Sequence, residues 1–445
     1  MSQILMQLEQ FVAQQPQVES WLVAYSGGLD STLLLHAMAK LDVKLEAVHV
    51  HHGLSEHADD WQQHCRAVCQ SLGVILHCQS VLVASAGRGL EDAAREARYA
   101  VFEQLLRPNQ GLLLAHHRDD QAETLLLRLM RGSGTRGLSA MASSRKLGQG
   151  HLYRPLLNFD RAQLLTQARS WQLAWVEDDS NSSSEFDRNF LRLEVFPELK
   201  QRWPQLTQQW AQSADWCRQA DGLVNEVAAE DLTRAQPRVE RLGHSIELSS
   251  LEALSRYRRG NLLRHWFERL EVPLPDQAQL DAVEQQFMDL RADGAAQVRW
   301  GSVVLRHFKS RLYCLPNDWL DEVTSNGPMA ARLPLIENWR GAPLRWGGGL
   351  MYLEAVQQGG FQMPADGFSV TLRRAGERCH PSWRDRSQTL KKLLQESQLE
   401  PWLRDQMPCL RSGDELVAAA DLWHCHGWQA GDRNGYLLRW NLGSS

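Results

Sequence analysis

The sequence predicts an α/β amino-terminal domain on a doubly wound parallel sheet, then a mostly helical middle domain and a small α+β carboxy-terminal domain. Three observations carry this. Over the first 180 residues, short apolar runs alternate with stretches of helical period, as strands and crossover helices of a parallel sheet do. Residues 198–272 are rich in Leu, Gln, Trp and Arg and read as helices. Beyond residue 350, short alternating runs surround one helix near 387–398.

The candidate strands are 21–25, 45–50, 74–81, 112–116 and 175–177, with helices at about 30–40, 57–72, 90–106 and 119–131. The stretch 315–349 is dense in Pro, Gly and Asn and marks a boundary. The expected division is therefore 1–215, 216–320 and 350–445.

Hydrophobic content of 43% and charged content of 23% are ordinary for a soluble globular protein. No apolar run approaches the roughly 20 residues of a membrane span. The opening MSQILMQLEQFVAQQ has no positive charge ahead of its apolar positions, so it reads as an amphipathic helix and not a signal peptide. Eight cysteines without paired small-domain spacing suggest a reducing cytoplasm. The net charge of −5 argues against a non-specific polyanion binder, but local patches decide such matters. Two basic patches stand out. One is RYRRGNLLR at 256–264. The other sets Arg373, Arg374, Arg378, Arg384, Arg386, Lys391 and Lys392 against only Glu377 and Asp385. Either could be no more than a solvated charged face. The oligomeric state is open, a homodimer included.

The most informative stretch is AYSGGLDST, residues 24–32. A strand feeds a Gly-Gly turn that opens a helix. Glycine permits close backbone approach and positive φ. The helix N-terminus then presents N–H groups to an anion. Ser26, Ser31 and Thr32 add hydroxyls, and Asp30 suits a Mg²⁺ ion bridging phosphate oxygens. The pattern is neither GxxxxGK[ST] nor GxGxxG. It resembles the pyrophosphate loop of the N-type ATP pyrophosphatases.

Three further constellations follow. In AVHVHHGLSEHADD (47–60), His49 and His51 share a strand face while His52 points away, and no cysteine completes a familiar zinc spacing. The end of such a strand suits an adenine or ribose. In GRGLEDAAREARYAVF (87–102), Arg88, Glu91, Arg95 and Arg98 lie on or beside one helix. Arg95 and Arg98 could neutralise phosphates, or Glu91 and Arg95 could form an ordinary surface pair. In LLLAHHRDDQAETLLLRLM (112–130), a buried strand ends in His116 and His117. Asp119 or Asp120 then opens a helix on which Asp120 and Glu123 share a face. One acid is explained by capping, but two acids beside two histidines suggest a cation or an amine.

Taken in order, SGGLDS (26–31), HVHHGL (49–54), EDAAREARY (91–99), AHHRDDQAET (115–124), RGSGTRGL (131–138), RPLL (154–157) and DDSN…DRNFLR (178–192) resemble the tRNA(Ile)-lysidine synthetases. RRAGER…LKKLLQE…PWLRDQMP (373–408) resembles that family's last domain. The resemblance implies ATP and Mg²⁺ as cofactors, and an isoleucine tRNA with a CAU anticodon and free L-lysine as partners. It implies that ATP adenylates the wobble cytidine and that the lysine ε-amine then displaces AMP, forming lysidine. Ser26, Gly27, Gly28, Leu29, Ser31 and Thr32 would bind phosphates, and Asp30 the metal. Asp120 and Glu123 look like the family's lysine-binding acids. Either His116 or His117 could bind substrate or assist proton removal. Arg95, Arg98, Arg188 and Arg192 are candidates for AMP or RNA phosphate contacts, with Arg95 grouped among the catalytic residues. Arg373, Arg374, Lys391 and Lys392 would hold tRNA away from the anticodon. Departures are mild: Leu191 replaces a frequent Ile, and Cys379 and Trp383 fall in a variable stretch.

The competing enzyme is a tRNA sulfur transferase with the same adenylation. Those commonly need CxxC pairs or a persulfide cysteine, whereas Cys65 and Cys69 are spaced CxxxC and the other six are scattered. An ammonia-using synthetase shares the loop but would not need the basic carboxy-terminal module. A non-catalytic RNA-binding protein would not need Asp30, Asp120 and Glu123 intact.

Overall fold

A computed structural model describes residues 2–53, 57–81, 90–177, 186–289, 296–319, 336–347 and 349–442. The chain forms two compact units, Met1–Leu223 and Val224–Ser445.

The first unit runs α1 (Gln3–Ala13), β1 (Ser20–Ala24), α2 (Leu29–Met38), β2 (Leu45–His51), α3 (Ala58–Leu72), β3 (Ile75–Ser80), α4 (Leu90–Leu105), β4 (Gln110–Leu113) and α5 (Arg118–Met130). It continues with α6 (Thr135–Leu138), β5 (Ser144–Leu147), β6 (Gly150–Tyr153), α7 (Arg161–Ser170), α8 (Asp187–Phe190), a π-helical turn Leu191–Val195 and α9 (Phe196–Arg202). The long α10 (Leu206–Arg234) follows.

The sheet order is β3-β2-β1-β4-β6-β5, with every pair parallel except β5–β6. The winding reverses between β1 and β4, so a crevice opens at their carboxyl ends. Alternation along the strands explains the two covered faces. Trp21 and Val23 enter one core with Leu33, Leu34 and Leu113, while Leu22 enters the opposite one with Val48, Phe102 and Leu112. Both faces are dry, which is why β1 reads as a continuous apolar run. Leu33 and Leu34 are fully buried, each stabilising by about 1.5–3 kcal/mol over an exposed side chain.

Four expected strands appear within a few residues of their predicted places. The fifth, at 175–177, is not a strand. Val176 makes a single backbone hydrogen bond, donating to the Gly27 carbonyl at 3.0 Å, and builds no ladder. The sheet instead closes with the β5–β6 hairpin, which the sequence reading missed because Ser144, Arg145 and Lys146 are exposed and hide any apolar pattern.

In the second unit the helical middle comprises the end of α10, α11 (Leu248–Glu252), α12 (Arg256–Arg269) and α13 (Gln277–Val283). It also carries an unanticipated antiparallel sheet of β7 (Arg238–Val239), β8 (His244–Glu247), β9 (Gln297–Trp300), β10 (Val303–Phe308) and β11 (Arg311–Pro316). The basic run 256–264 is largely paired: Arg256 with Asp281 at 2.7 Å, Arg258 with Asp231 at 2.5 Å and Arg259 with Glu284 at 2.6 Å.

The strand-rich end contains β12 (Ile336–Trp339), β13 (Leu344–Trp346), β14 (Gly349–Val356), β15 (Phe368–Thr371), β16 (Arg378–Cys379), β17 (Gln388–Thr389) and α14 (Leu390–Glu396). It finishes with β18 (Cys409–Ser412), β19 (Glu415–Ala419), β20 (Trp423–His424) and β21 (Gly435–Asn441). β12 and β13 lie inside the stretch read as a boundary; residues 320–335 of that stretch lie outside the described residues. Among the described residues, no helix is long and apolar enough to cross a membrane.

Candidate active site

The turn 25–28 leaves β1 at the crevice. Gly27 has φ +87°, and a Cβ there would lie 2.9 Å from Val176 Cγ2 and 3.0 Å from Cys65 Sγ. Gly28 is the N-cap of α2. The Ser26 and Ser31 hydroxyls meet at 3.0 Å, and Ser31 Oγ donates to the Gly28 carbonyl at 3.1 Å. Thr32, expected among the phosphate contacts, is fully buried, and its hydroxyl donates to the Gly27 carbonyl at 3.1 Å. It shapes the loop and offers a ligand nothing. The Leu29 side chain enters the core, leaving only its backbone N–H for a ligand. Gly27→Ala is expected to destabilise by about 1–3 kcal/mol through left-handed strain and crowding, and to weaken ATP binding. Thermal unfolding and nucleotide titration would check both.

The strand-end histidines and acids of α5 complete the crevice. His117 is the N-cap of α5, and its backbone N–H donates to Asp120 Oδ2 at 2.9 Å. Asp120 therefore caps the helix, leaving Oδ1 for other partners. The His117 ring is buried among three carboxylates: Asp30 3.6 Å from Nε2, and Asp120 and Asp119 at 3.5 and 3.8 Å from Nδ1. Burial opposes protonation, but Asp120, Asp30 and Asp119 outweigh it and raise the His117 pKa. His116 is the opposite case. Burial pushes its pKa down to about 3; Asp120 opposes this, Arg154, Arg188 and Arg95 add to it, and its Nδ1 accepts from Arg154 Nε at 3.1 Å.

Beside these groups lies a four-membered ion cluster. Glu123, only 2% exposed, accepts from Arg188 Nε at 2.9 Å and from Arg192 Nε and Nη2 at 2.8 and 2.9 Å. Asp120 Oδ1 takes Arg192 Nη2 at 3.1 Å and Arg188 Nη2 at 3.5 Å. Burial alone would raise the Asp120 pKa; His117, His116, Arg188 and Arg192 reverse that and hold it far below the usual carboxylate range. Asp30 Oδ1 is buried with no hydrogen-bond partner among the described residues, an unsatisfied anionic oxygen at the mouth of the phosphate-type loop.

The structure thus gathers Ser26, Gly27, Gly28, Asp30, Ser31, His116, His117, Asp120, Glu123, Arg188 and Arg192 in one unit. Arg95 packs its guanidinium 5.2 Å from the Tyr99 ring centroid, and its charge reaches His116. Arg98 depresses the pKa of His52, though burial does so more strongly. His49 Nδ1 meets the Tyr25 carbonyl at 3.0 Å. Among the described residues, no group of three or more His, Cys, Asp or Glu is arranged to hold a metal. Arg88 and residues 178–185 lie outside the described residues. Arg373, Arg374, Lys391 and Lys392 belong to the other unit; Arg373 pairs with Asp405, and Arg374 with Asp414 at 3.1 Å.

Two site residues escaped the sequence reading. Arg154, buried after β6, joins His116 to the Ala142 carbonyl and, at 3.4 Å, to the Tyr99 hydroxyl. Lys200 of α9 pairs with Asp119. The RPLL run quoted for the resemblance begins at Arg154, but no site role was drawn from it.

A Ser-Gly-Gly loop at the switch point of a doubly wound sheet, with an unsatisfied carboxylate at its mouth, defines an ATP-using PP-loop protein. The family model of the PP-loop domain matches residues 1–199, the TilS substrate binding domain 247–313 and the TilS substrate C-terminal domain 368–440. The chain is 39% identical to the tRNA(Ile)-lysidine synthase of Alkalilimnicola ehrlichii, over 94% of this chain and 92% of that one. It is 38% identical to the tRNA(Ile)-lysidine synthase of Salmonella paratyphi B, over 94% and 96%. It belongs to the tRNA(Ile)-lysidine synthase family. A solved U34-tRNA thiolase from Methanococcus maripaludis, 12% identical over 48% of this chain and 77% of its own, superposes with a TM-score of only 0.40.

Proposed function

We propose that this protein joins free L-lysine to the wobble cytidine of an isoleucine tRNA with a CAU anticodon. ATP adenylates the base carbonyl oxygen and releases pyrophosphate. The lysine ε-amine then attacks that carbon, and AMP leaves with the oxygen. The observation that carries this reading is the meeting, at one crevice, of the SGG loop, the unsatisfied Asp30 and the buried Asp120–Glu123 pair.

The geometry is compatible with the roles that the resemblance implies. The α2 N-terminus and the Ser26–Ser31 turn would receive phosphates. Asp30 would hold Mg²⁺, a hard cation content with one protein carboxylate plus phosphate oxygens; the ion would neutralise charge developing on the phosphates. Asp120 and Glu123 would orient the lysine amine. Of the two histidines, His117 suits proton handling. His116 already accepts from Arg154 and is too weak a base. Arg95, Arg98, Arg188 and Arg192 would face AMP or RNA phosphates, and the basic carboxy-terminal module would hold tRNA. A cytoplasmic location is part of this reading, and the oligomeric state stays open, a homodimer included.

The deciding experiment is incorporation of labelled lysine into isoleucine tRNA with ATP and Mg²⁺, followed by mild alkali to remove esters. Alkali-stable label that disappears when the wobble cytidine is replaced supports the reading. ATP cleaved without stable label would move the acceptor to sulfur or ammonia.

The sulfur-transfer alternative needs a reactive thiol. Burial raises Cys65, Cys314 and Cys409 to about 12 and Cys69 to about 11, which disfavours thiolates. Cys78 and Cys217 are the two half-buried cysteines. The double variant Cys78→Ser/Cys217→Ser is expected to keep lysine incorporation within about twofold of wild type, as substitutions away from a site usually do. Loss of incorporation in a folded double variant would mean that one of these thiols takes part in the lysine reaction.

A further inference from the structure

We infer that Cys379 and Cys425 are a modification site, at which a peroxide forms a reversible disulfide tying the β16–β17 hairpin to the segment 423–426. The proposed reaction uses neither thiol, so this goes beyond it. Both are free thiols, and their sulfurs lie 2.8 Å apart. A disulfide bond is about 2.05 Å long, so the pair closes with a movement of under roughly 1 Å.

The backbone holds this approach from both sides. Cys379 of β16 pairs with Gln388 of β17. Pro381 forms an antiparallel bridge with Cys425, Ser382 N–H donates to the His424 carbonyl at 3.0 Å, and His426 N–H donates to the His380 carbonyl at 2.6 Å. Cys425 N–H donates in turn to the Val417 carbonyl at 2.7 Å. Side chains alternate along such extended segments. Cys379 and Cys425 therefore share the inner face, in one core with Trp423 and Cys409. His380 and His426 take the other face and stack, with 4.7 Å between ring centroids. Cys379 is 4% and Cys425 5% exposed, which admits an oxidant little larger than water and disfavours a bulky one.

The contacts also divide the roles. Cys379 Sγ accepts from the Trp423 indole Nε1–H at 3.3 Å and faces the Cys425 thiol. Two donors around one sulfur favour its thiolate: Cys425 and Trp423 hold the Cys379 pKa below its ordinary value, against burial and Glu377. The same contact, with burial, raises Cys425, which keeps its proton. Cys379 is thus the nucleophile and Cys425 the resolving thiol. The Cys379 thiolate attacks one peroxide oxygen and the O–O bond breaks. Sulfur becomes a sulfenic acid, and the other oxygen leaves as hydroxide and takes up a proton to give water. Cys425 Sγ then attacks the Cys379 sulfur and the S–O bond breaks. The Cys425 proton goes to the departing hydroxide, giving a second water as the S–S bond forms. Two thiols have lost two electrons and two protons, and the peroxide has become two waters. Attack by an external thiolate reverses the bond.

The test uses the full chain carrying Cys78→Ser/Cys217→Ser, which removes the two half-buried thiols. The folded protein is treated with hydrogen peroxide at a dose that converts Met130, 62% exposed, to its sulfoxide. It is then unfolded, its remaining thiols are blocked with N-ethylmaleimide, and its peptides are weighed. The expected product is one linked pair, the Cys379 and Cys425 peptides less two hydrogens, which dithiothreitol separates. The link closes the loop 379–425, so the oxidised protein should unfold about 5 °C higher. Adding Cys425→Ala should abolish the link and the gain in midpoint, and leave added oxygen on Cys379. Both cysteines still blocked by N-ethylmaleimide once Met130 is oxidised would overturn the inference. So would a link from Cys379 to Cys409 in place of Cys425, or a Cys379–Cys425 link that forms only after denaturant is added.

Discussion

Asp30→Asn is expected to slow pyrophosphate release by about 10³-fold, the several kcal/mol that one metal-held charge supplies, while tRNA affinity stays nearly intact. The argument rests on a single atom. Among the described residues, Asp30 Oδ1 is buried without a hydrogen-bond partner, and Oδ2 lies 3.6 Å from His117 Nε2. A carboxylate held that way is costly unless something positive arrives with the ligand. Asparagine keeps the shape and removes the charge, so the loop should stay folded. Two readouts separate the metal role from a structural one. Mn²⁺ bound with nucleotide, followed by electron paramagnetic resonance, should be lost. The His117 pKa, followed by NMR, should fall towards its ordinary value, because Asp30 is one of the carboxylates that raise it. Near-normal turnover in the variant would remove Asp30 from metal binding.

What could be read in advance, and what could not, divides by range. The SGG loop is written in seven consecutive residues, and its glycine, hydroxyl and carboxylate each have a local reason to be there. The β4–α5 junction was similarly legible, because two histidines and two acids in one short run after an apolar strand violate a plain amphipathic pattern. The crevice followed from strand alternation, since the reversal of winding places both runs at one end of the sheet. Partners distant in sequence were not legible. Arg154 reaches His116 across 38 residues and Lys200 reaches Asp119 across 81, and nothing in either neighbourhood announces the pairing. Arg188 and Arg192 were read as phosphate contacts from the resemblance; their engagement with Asp120 and Glu123 is a tertiary fact. The antiparallel sheet of 238–316 was missed for another reason. β7 and β8 lie inside the run 198–272 that was read as helices, and β9 to β11 beyond it were assigned to the same mostly helical domain.

The buried ion cluster should give the largest stability effects in the protein. Glu123→Gln leaves two guanidiniums facing a neutral amide and is expected to cost about 3–5 kcal/mol, as does removing one partner of any well-bonded buried pair. Arg192→Gln strands the acids instead. Combined, the two changes should cost clearly less than their sum, because each removes what the other leaves unpaired; denaturant unfolding of all four proteins completes the cycle. Acid dependence gives a second check. The folded Asp120 pKa is depressed, so its stabilisation is present above the ordinary aspartate value of about 4 and is lost as pH falls below it. Arg192→Gln should flatten that acid limb. The cluster also bears on the reaction. Two carboxylates already balanced by two guanidiniums exert little net pull on an ammonium, but they can still hydrogen-bond the neutral amine that must attack. Lysine KM is therefore expected to rise in Glu123→Gln, which loses an acceptor, and to fall in Arg192→Gln, which uncovers one. KM unmoved by either change would mean that these acids serve the arginines alone, and the lysine amine would have to be sought nearer Asp119 and His117.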